Sequence, residues 1–329
     1  MVDIALTETL TATDRAATVA KGGRRDAAFH ALTWAAAVLV VILFAGIMVS
    51  LLLGSMPSIK AFGLSFLISE KWNPVTDKFG ALASIYGTLI TSLLAMLVAV
   101  PVGIGIAIFL TELCPRPLRR PVAIAVELLA GIPSIIYGIW GLFVLAPWLQ
   151  VHLQPWIIDL FGNVPYLQDF FAGPPYGIGI FTAGLILSIM VLPSISSITH
   201  DVFLTVPPML KEAGYGLGCT TWEVMWRVVL PFARTGVVGG AMLALGRALG
   251  ETMAVTFVIG NAHHISTSIL APGTSISATI ANEFTEAVGS LYTSALIEMG
   301  LILFFITFVV LAAAQLMLGA LERRAGGAS

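Results

Sequence analysis

The chain has 329 residues, 58% of them hydrophobic and 10% charged, and a formal net charge of −2. An ordinary soluble domain carries roughly a quarter charged residues, and a water-soluble fold of this length could not hide so much apolar surface, so lipid must solvate much of the chain. The near-neutral charge supplies no basic field for nucleic acid, and Cys114 and Cys219 form neither a CxxC nor a Cys/His cluster, so neither a disulfide framework nor a metal site is expected.

Residues 1–30 read as a polar tail with Arg15, Lys21, Arg24 and Arg25. The apolar run that follows has no small-residue cleavage site after a short core, so it reads as a retained anchor, not a removed signal. Membrane helices need about 20 mostly apolar residues. Six stretches qualify: 31–54, 82–111, 121–146, 176–199, 235–260 and 293–320. The expected fold is thus all-α, an integral membrane protein of about six transmembrane helices. Residues 82–320 make the main body and 321–329 a short tail.

The connections near 55–81, 147–175 and 261–292 are rich in Pro, Asn, Ser and aromatics. Trp148, Trp156, Tyr166 and Tyr176 fall where interfacial aromatics belong, and the 147–175 connection has room for an interfacial helix. Twelve Lys and Arg fall on one side: Arg15, Lys21, Arg24, Arg25, Arg116, Arg119, Arg120, Lys211, Arg227, Arg234, Arg323 and Arg324. Three, Lys60, Lys71 and Lys78, fall on the other. The positive-inside rule then places both termini in the cytoplasm, with both cysteines on that reducing side.

Within the spans, Pro101, Pro133 and Pro193 interrupt apolar runs, which membrane helices tolerate when neighbours re-satisfy the backbone. Gly236, Gly240, Ala244, Gly246 and Gly250 give the fifth span small-residue faces for close packing. Glu127, at the end of the third span, and Glu298, inside the sixth, read as buried hydrogen-bonded acids. His263 and His264 lie outside with no third metal ligand evident.

Between the fourth and fifth spans the chain runs Thr205-Val206-Pro207-Pro208-Met209-Leu210-Lys211-Glu212-Ala213-Gly214-Tyr215-Gly216-Leu217-Gly218 and on to Leu230-Pro231. Thr205 can cap a short helix with proline in its first turn. Gly214 and Gly218, four apart, suit close docking in a groove of another protein.

Glu212, Ala213, Gly214, Gly218, Val228, Leu230 and Pro231 match the EAA loop of ABC importer permeases, with Gly214 for the second alanine and Val228 for isoleucine. The resemblance implies the type I permease fold with both termini in the cytoplasm. It also implies that 205–231 couples to a separate ATPase that uses ATP and Mg, with no cofactor bound by this chain. The chain has no G-x-x-x-x-G-K-[ST] phosphate loop of its own.

Across about 80–320, the segments 131–138, 192–195, 246–253 and 277–284 are similar to the permeases of phosphate importers, of the type that pairs with a PstA-type permease. Such a family implies a heterodimer of the two permeases, two PstB-type ATPase subunits, a phosphate-binding protein outside, and phosphate as cargo in a lipid bilayer. Permeases for sulfate or molybdate share the loop and the architecture, so the choice of phosphate rests on the resemblance.

Arg247 and Glu251 are four apart near mid-span, so on one helix they share a face. An Arg at the bilayer centre is costly and should turn to the bundle interior. Two readings stand. In one the two residues form a self-neutralising structural ion pair. In the other Arg247 lines the anion path, its planar guanidinium meeting phosphate oxygens, while Glu251 weakens its hold so that the ligand can leave. A membrane enzyme would need clustered carboxylates or a nucleophile with a base, and no DxxD, HExxH or GxSxG occurs. A channel would need a filter and has no use for an EAA loop.

Overall fold

The computed structural model describes residues 2–162, 164–165 and 167–326, with side chains over 26–162, 164–165 and 167–319. Tyr166 and the side chains of Arg15, Lys21, Arg24, Arg25, Arg323 and Arg324 lie outside the described residues. The chain divides into two compact units at Leu53/Gly54. Unit one is helical as far as it is described.

The helices of eight or more residues, in chain order among the described residues, are α1 (Val2–Phe62), α2 (Leu82–Leu113), α3 (Arg116–Ala130), α4 (Ser134–Phe161), α5 (Ile180–Leu204), α6 (Pro208–Gly216), α7 (Thr221–Leu249), α8 (Ile276–Glu283) and α9 (Ser290–Gly326). Among the described residues, six segments are long and apolar enough to cross a bilayer: Asp26–Phe62, α2, α4, α5, α7 and Ser290–Gly319. Among the described residues there is no strand, only the isolated bridges Asn73–Lys78 and Gly260–Gly273.

The third and fifth spans depart from the sequence reading. The apolar run 121–146 is broken at Gly131-Ile132-Pro133: α3 ends at Ala130, Pro133 caps α4, and α4 continues to Phe161. Pro133 therefore breaks the chain into two helices where one span was expected, because the residue before a proline avoids the helical region. Trp148 and Trp156 lie on α4, both exposed. Glu127 belongs to α3, not to a span. The fifth span runs Thr221–Leu249, not 235–260.

Four π-helical turns occur among the described residues: Phe109–Leu113, Met225–Val229 and, within α4, Gly141–Leu145 and Leu149–Leu153. Each is followed two residues later by a proline: Pro115, Pro231, Pro147 and Pro155. A proline lacks the N–H and its ring crowds the carbonyl four residues back; a wide turn just ahead of it moves that carbonyl away.

Three apolar clusters hold the unit together. The central one joins Ala95 and Ala99 of α2, Ala183, Leu187, Met190 and Ile195 of α5, Ala244 and Ala248 of α7, and Val255, Val258 and Ile259. One end is packed by Phe66, Phe79, Ile276, Tyr292, Leu296 and Met299. At the other, Ala107, Phe203, Val206, Val224, Met225 and Val229 pack together.

The connection 261–292 is not an outer loop throughout. Its helix α8 enters the core beside α2, with Ile276, Ala278 and Thr279 buried. Thr88 Oγ1 accepts from the Ile276 N–H at 2.9 Å, and Ser84 and Thr279 hydroxyls meet at 3.2 Å. Gly87 lies so close to the Thr274 carbonyl that a Cβ would collide with it.

Candidate functional site

Helix α6 begins at Pro208, with Pro207 in the N-cap position. Thr205 does not cap it. Thr205 closes α5, and its hydroxyl donates to the Val202 carbonyl at 2.7 Å. The helix ends after Gly216, with Leu217 N–H on the Ala213 carbonyl at 3.1 Å and Cys219 N–H on the Gly214 carbonyl at 3.2 Å. Gly218 adopts φ +84, a left-handed conformation that glycine reaches without a Cβ clash. Thr220 then starts α7 through a capping box. Its N–H donates to Glu223 Oε2 at 2.9 Å, and its Oγ1 accepts from the Glu223 N–H.

The faces of α6 differ. Gly214 is buried against α7, where a Cβ would stand 3.1 Å from Val224 Cγ2. It serves contact within the chain, in place of the outward docking that its spacing with Gly218 suggested. Glu212 and Ala213 are exposed, as are Met209 (78%) and Leu217 (85%). Leu230 is half-buried in the apolar cluster below and Pro231 is exposed beyond the π-turn. A short helix thus offers an outward face that mixes apolar side chains with a carboxylate.

Arg247 and Glu251 do not share a helix face. Helix α7 ends at Leu249, so Arg247 sits in its last turn and Glu251 lies beyond the end. Among the described residues no ion pair joins the two, since none of the salt bridges includes either. Arg247 is exposed and lies within electrostatic reach of Tyr137. Glu251 Oε1 faces the Ala254 N–H at 3.5 Å, and its backbone carbonyl accepts from Ser277 Oγ at 2.7 Å. Sequence reasoning missed Ser277 because its partner is a backbone atom on a segment distant in sequence.

A second polar cluster lies near the Phe79–Tyr292 end. Glu283 accepts from Trp72 Nε1 at 2.6 Å and Tyr292 Oη at 2.7 Å, and pairs with His263 Nε2 at 2.9 Å. Burial opposes its charge, yet the bonds from His263, Tyr292 and Trp72 prevail and hold the carboxyl below the usual range. Trp72 and His263 stack with ring centroids 5.3 Å apart.

Apolar helices in this order, with a short loop helix between the fourth and fifth spans, fit a membrane permease, and comparison with known proteins shows that class. Residues 99–327 match the model of the binding-protein-dependent transport system inner membrane components. The phosphate transport system permease protein PstC of Mesorhizobium japonicum is 68% identical over 95% of both chains. That of Pasteurella multocida is 58% identical over 88% of this chain and 90% of its own. A bacterial alginate ABC transporter chain is alike in fold, at TM-score 0.54 and 19% identity over 89% of this chain and 94% of its own. The chain belongs to the PstC family of ABC transporter permeases, and is a multi-pass inner membrane protein.

Proposed function

We propose that this chain imports inorganic phosphate as one of two permeases, paired with a PstA-type chain, driven by two PstB-type ATPase subunits and fed by an extracytoplasmic phosphate-binding protein. The relatives at 68% and 58% identity are named for phosphate transport, which favours phosphate over sulfate or molybdate. Both termini lie in the cytoplasm, with 1–30 and 321–329 as tails and 82–320 as the permease core. ATP and Mg act in the partner subunits.

The observation that carries the mechanism is the two-faced α6. Gly214 turns inward while Met209, Glu212, Ala213 and Leu217 turn outward, so the 205–231 loop presents a firm surface to a cytoplasmic ATPase. Closure of the ATPase pair on ATP displaces that surface, and the spans that continue from it follow. Arg247 lines the path. It is exposed on the single chain although it sits in a span, and an Arg there with no ion-pair partner among the described residues must meet a partner permease, water or an anion. Glu251, set just beyond the helix end, moderates the hold of Arg247 on phosphate.

The test is vectorial labelling with transport. With Cys219 replaced by Ser, a Leu217→Cys chain in sealed right-side-out vesicles should resist an impermeant thiol reagent and react after permeabilisation. Deletion of 208–216 should release the ATPase subunit and stop energised uptake of radiolabelled phosphate. Labelling from outside, or uptake that survives the deletion, overturns the reading.

A further inference from the structure

Helix α6 is tied to the bundle by more than its two ends. Lys211 Nζ lies 2.6 Å from Glu112 Oε1, with the side chains only 17% and 16% exposed. Glu112 belongs to the π-turn that ends α2. Arg119 of α3 holds the same turn from another side, donating through Nη2 to the Thr111 carbonyl at 2.7 Å. Thr111 Oγ1 in turn donates to the Ala107 carbonyl at 2.9 Å.

Both flanks of α6 are non-helical, at 205–207 and 217–220. A nine-residue helix held through two such joints and by Gly214 against α7 can still rock about the line between the joints, so part of the displacement of its outer face is lost as rotation. Lys211 lies mid-helix and three residues before Gly214, on the inward face. A tie there stops the rocking.

What it ties to is stiff. Helices α2 and α5 pack closely at two heights: a Cβ on Gly103 would stand 2.7 Å from Ile195 Cγ2, and one on Gly184 would stand 2.8 Å from Leu94 Cβ. Exposed ion pairs contribute little, but a pair this withdrawn from water leaves a stranded charge when one partner is removed.

We propose that the Lys211–Glu112 ion pair is the strut that carries displacement of α6 into the α2–α5 pair, with Lys211 a positioning residue acting through Glu112. The proposal rests on the coupling-loop reading above.

The test uses the whole transporter in proteoliposomes with its ATPase and binding protein, and reads radiolabelled phosphate imported per ATP hydrolysed. Lys211→Glu and Glu112→Lys should each keep the ATPase subunit bound and hydrolysing, while the ratio falls roughly tenfold, within the range that residues along a coupling route command. The double exchange, Lys211→Glu with Glu112→Lys, should recover most of the ratio, and Lys211→Arg should keep it. Should the charge reversals fail to reach the membrane, Glu112→Gln gives the same reading with a milder change. Normal ratios in Glu112→Gln, or a double exchange no better than its parents, overturn the strut. So does loss of the ATPase subunit in Lys211→Glu alone, which would mean that Lys211 meets the ATPase directly. An ATPase subunit that stays bound to a chain lacking 208–216 defeats the coupling-loop reading instead.

Discussion

Ser277 donates its hydroxyl hydrogen to the backbone carbonyl of Glu251 at 2.7 Å, and so pins the turn that follows Arg247 to the first turn of α8. Helix α8 is in turn fastened to α2 through Thr88 and Ser84. The guanidinium of Arg247 is thus carried on a helix end whose exit is fixed by a segment far along the chain, while α7 itself packs its small residues against α5. Gly236 and Gly240 meet Val202 and Ile198 there.

Two substitutions separate charge from placement. Arg247→Gln removes the cation and leaves the helix end intact. Phosphate uptake should drop roughly ten- to a hundredfold, the range expected for hydrogen bonds to a charged group. Membrane abundance and co-purification of the ATPase subunit should stay normal. Ser277→Ala removes one neutral bond of about 0.5–1.5 kcal/mol, so uptake should fall only a few-fold, through a slower maximal rate. Normal uptake by Arg247→Gln at normal abundance would remove Arg247 from the path.

The Glu283 cluster governs stability at the opposite end of the unit from α6. Its carboxylate accepts from Trp72, Tyr292 and His263, and these bonds hold its pKa below the ordinary value against the effect of burial. A depressed pKa means that the folded state prefers the ionised form. The stabilisation is therefore complete above the unfolded glutamate pKa of about 4.3 and is lost as pH falls below it through the folded value. Glu283→Gln should cost about 1.5–3 kcal/mol at neutral pH. It should also flatten the loss of thermal stability of the detergent-purified protein between about pH 5 and 3. A Gln variant as acid-sensitive as the parent would refute the assignment.

Gly87→Ala tests the buried position of α8. The added methyl would meet the Thr274 carbonyl, a backbone atom with no freedom to swing aside. Overpacking of this kind costs about 1–3 kcal/mol or more. We expect lower thermal stability and lower membrane abundance, while Gly105→Ala, which has open space around it and gains helix propensity, should lower neither.

The number of spans and the short helix between the fourth and fifth of them were legible in the sequence, because both signals are local. A span needs one apolar run, and the EAA pattern fits inside one hairpin. Helix ends were harder, since hydropathy follows burial rather than backbone conformation. Residues 250–260 are apolar and mostly buried or half-buried, yet only Met253–Thr256 is helical. Residues 221–234 carry Glu223, Arg227 and Arg234, yet form the start of α7. The break at 131–133 was masked because Gly131, Ile132 and Pro133 do not interrupt an apolar average. The inward position of α8 did leave a trace, a small polar stripe at Ser84, Gly87, Thr88 and Thr91 on α2. A stripe of that kind shows that something packs closely, but not what.

Gly214 separates packing within the chain from contact with the ATPase. Its Cβ position lies 3.1 Å from one methyl of Val224 and 3.8 Å from one of Val228, so these side chains need to yield only a few tenths of an ångström to admit a methyl. Gly214→Ala also trades glycine's backbone entropy for a better helix former, a gain of about 0.5–1 kcal/mol that offsets the crowding. It should therefore leave ATPase binding and phosphate uptake near normal. Gly214→Leu has no such room and should lever α6 away from α7, weakening ATPase co-purification and uptake together. Were Gly214 itself part of the ATPase contact, the alanine variant would already lose the ATPase subunit while the thermal stability of the isolated permease stayed unchanged.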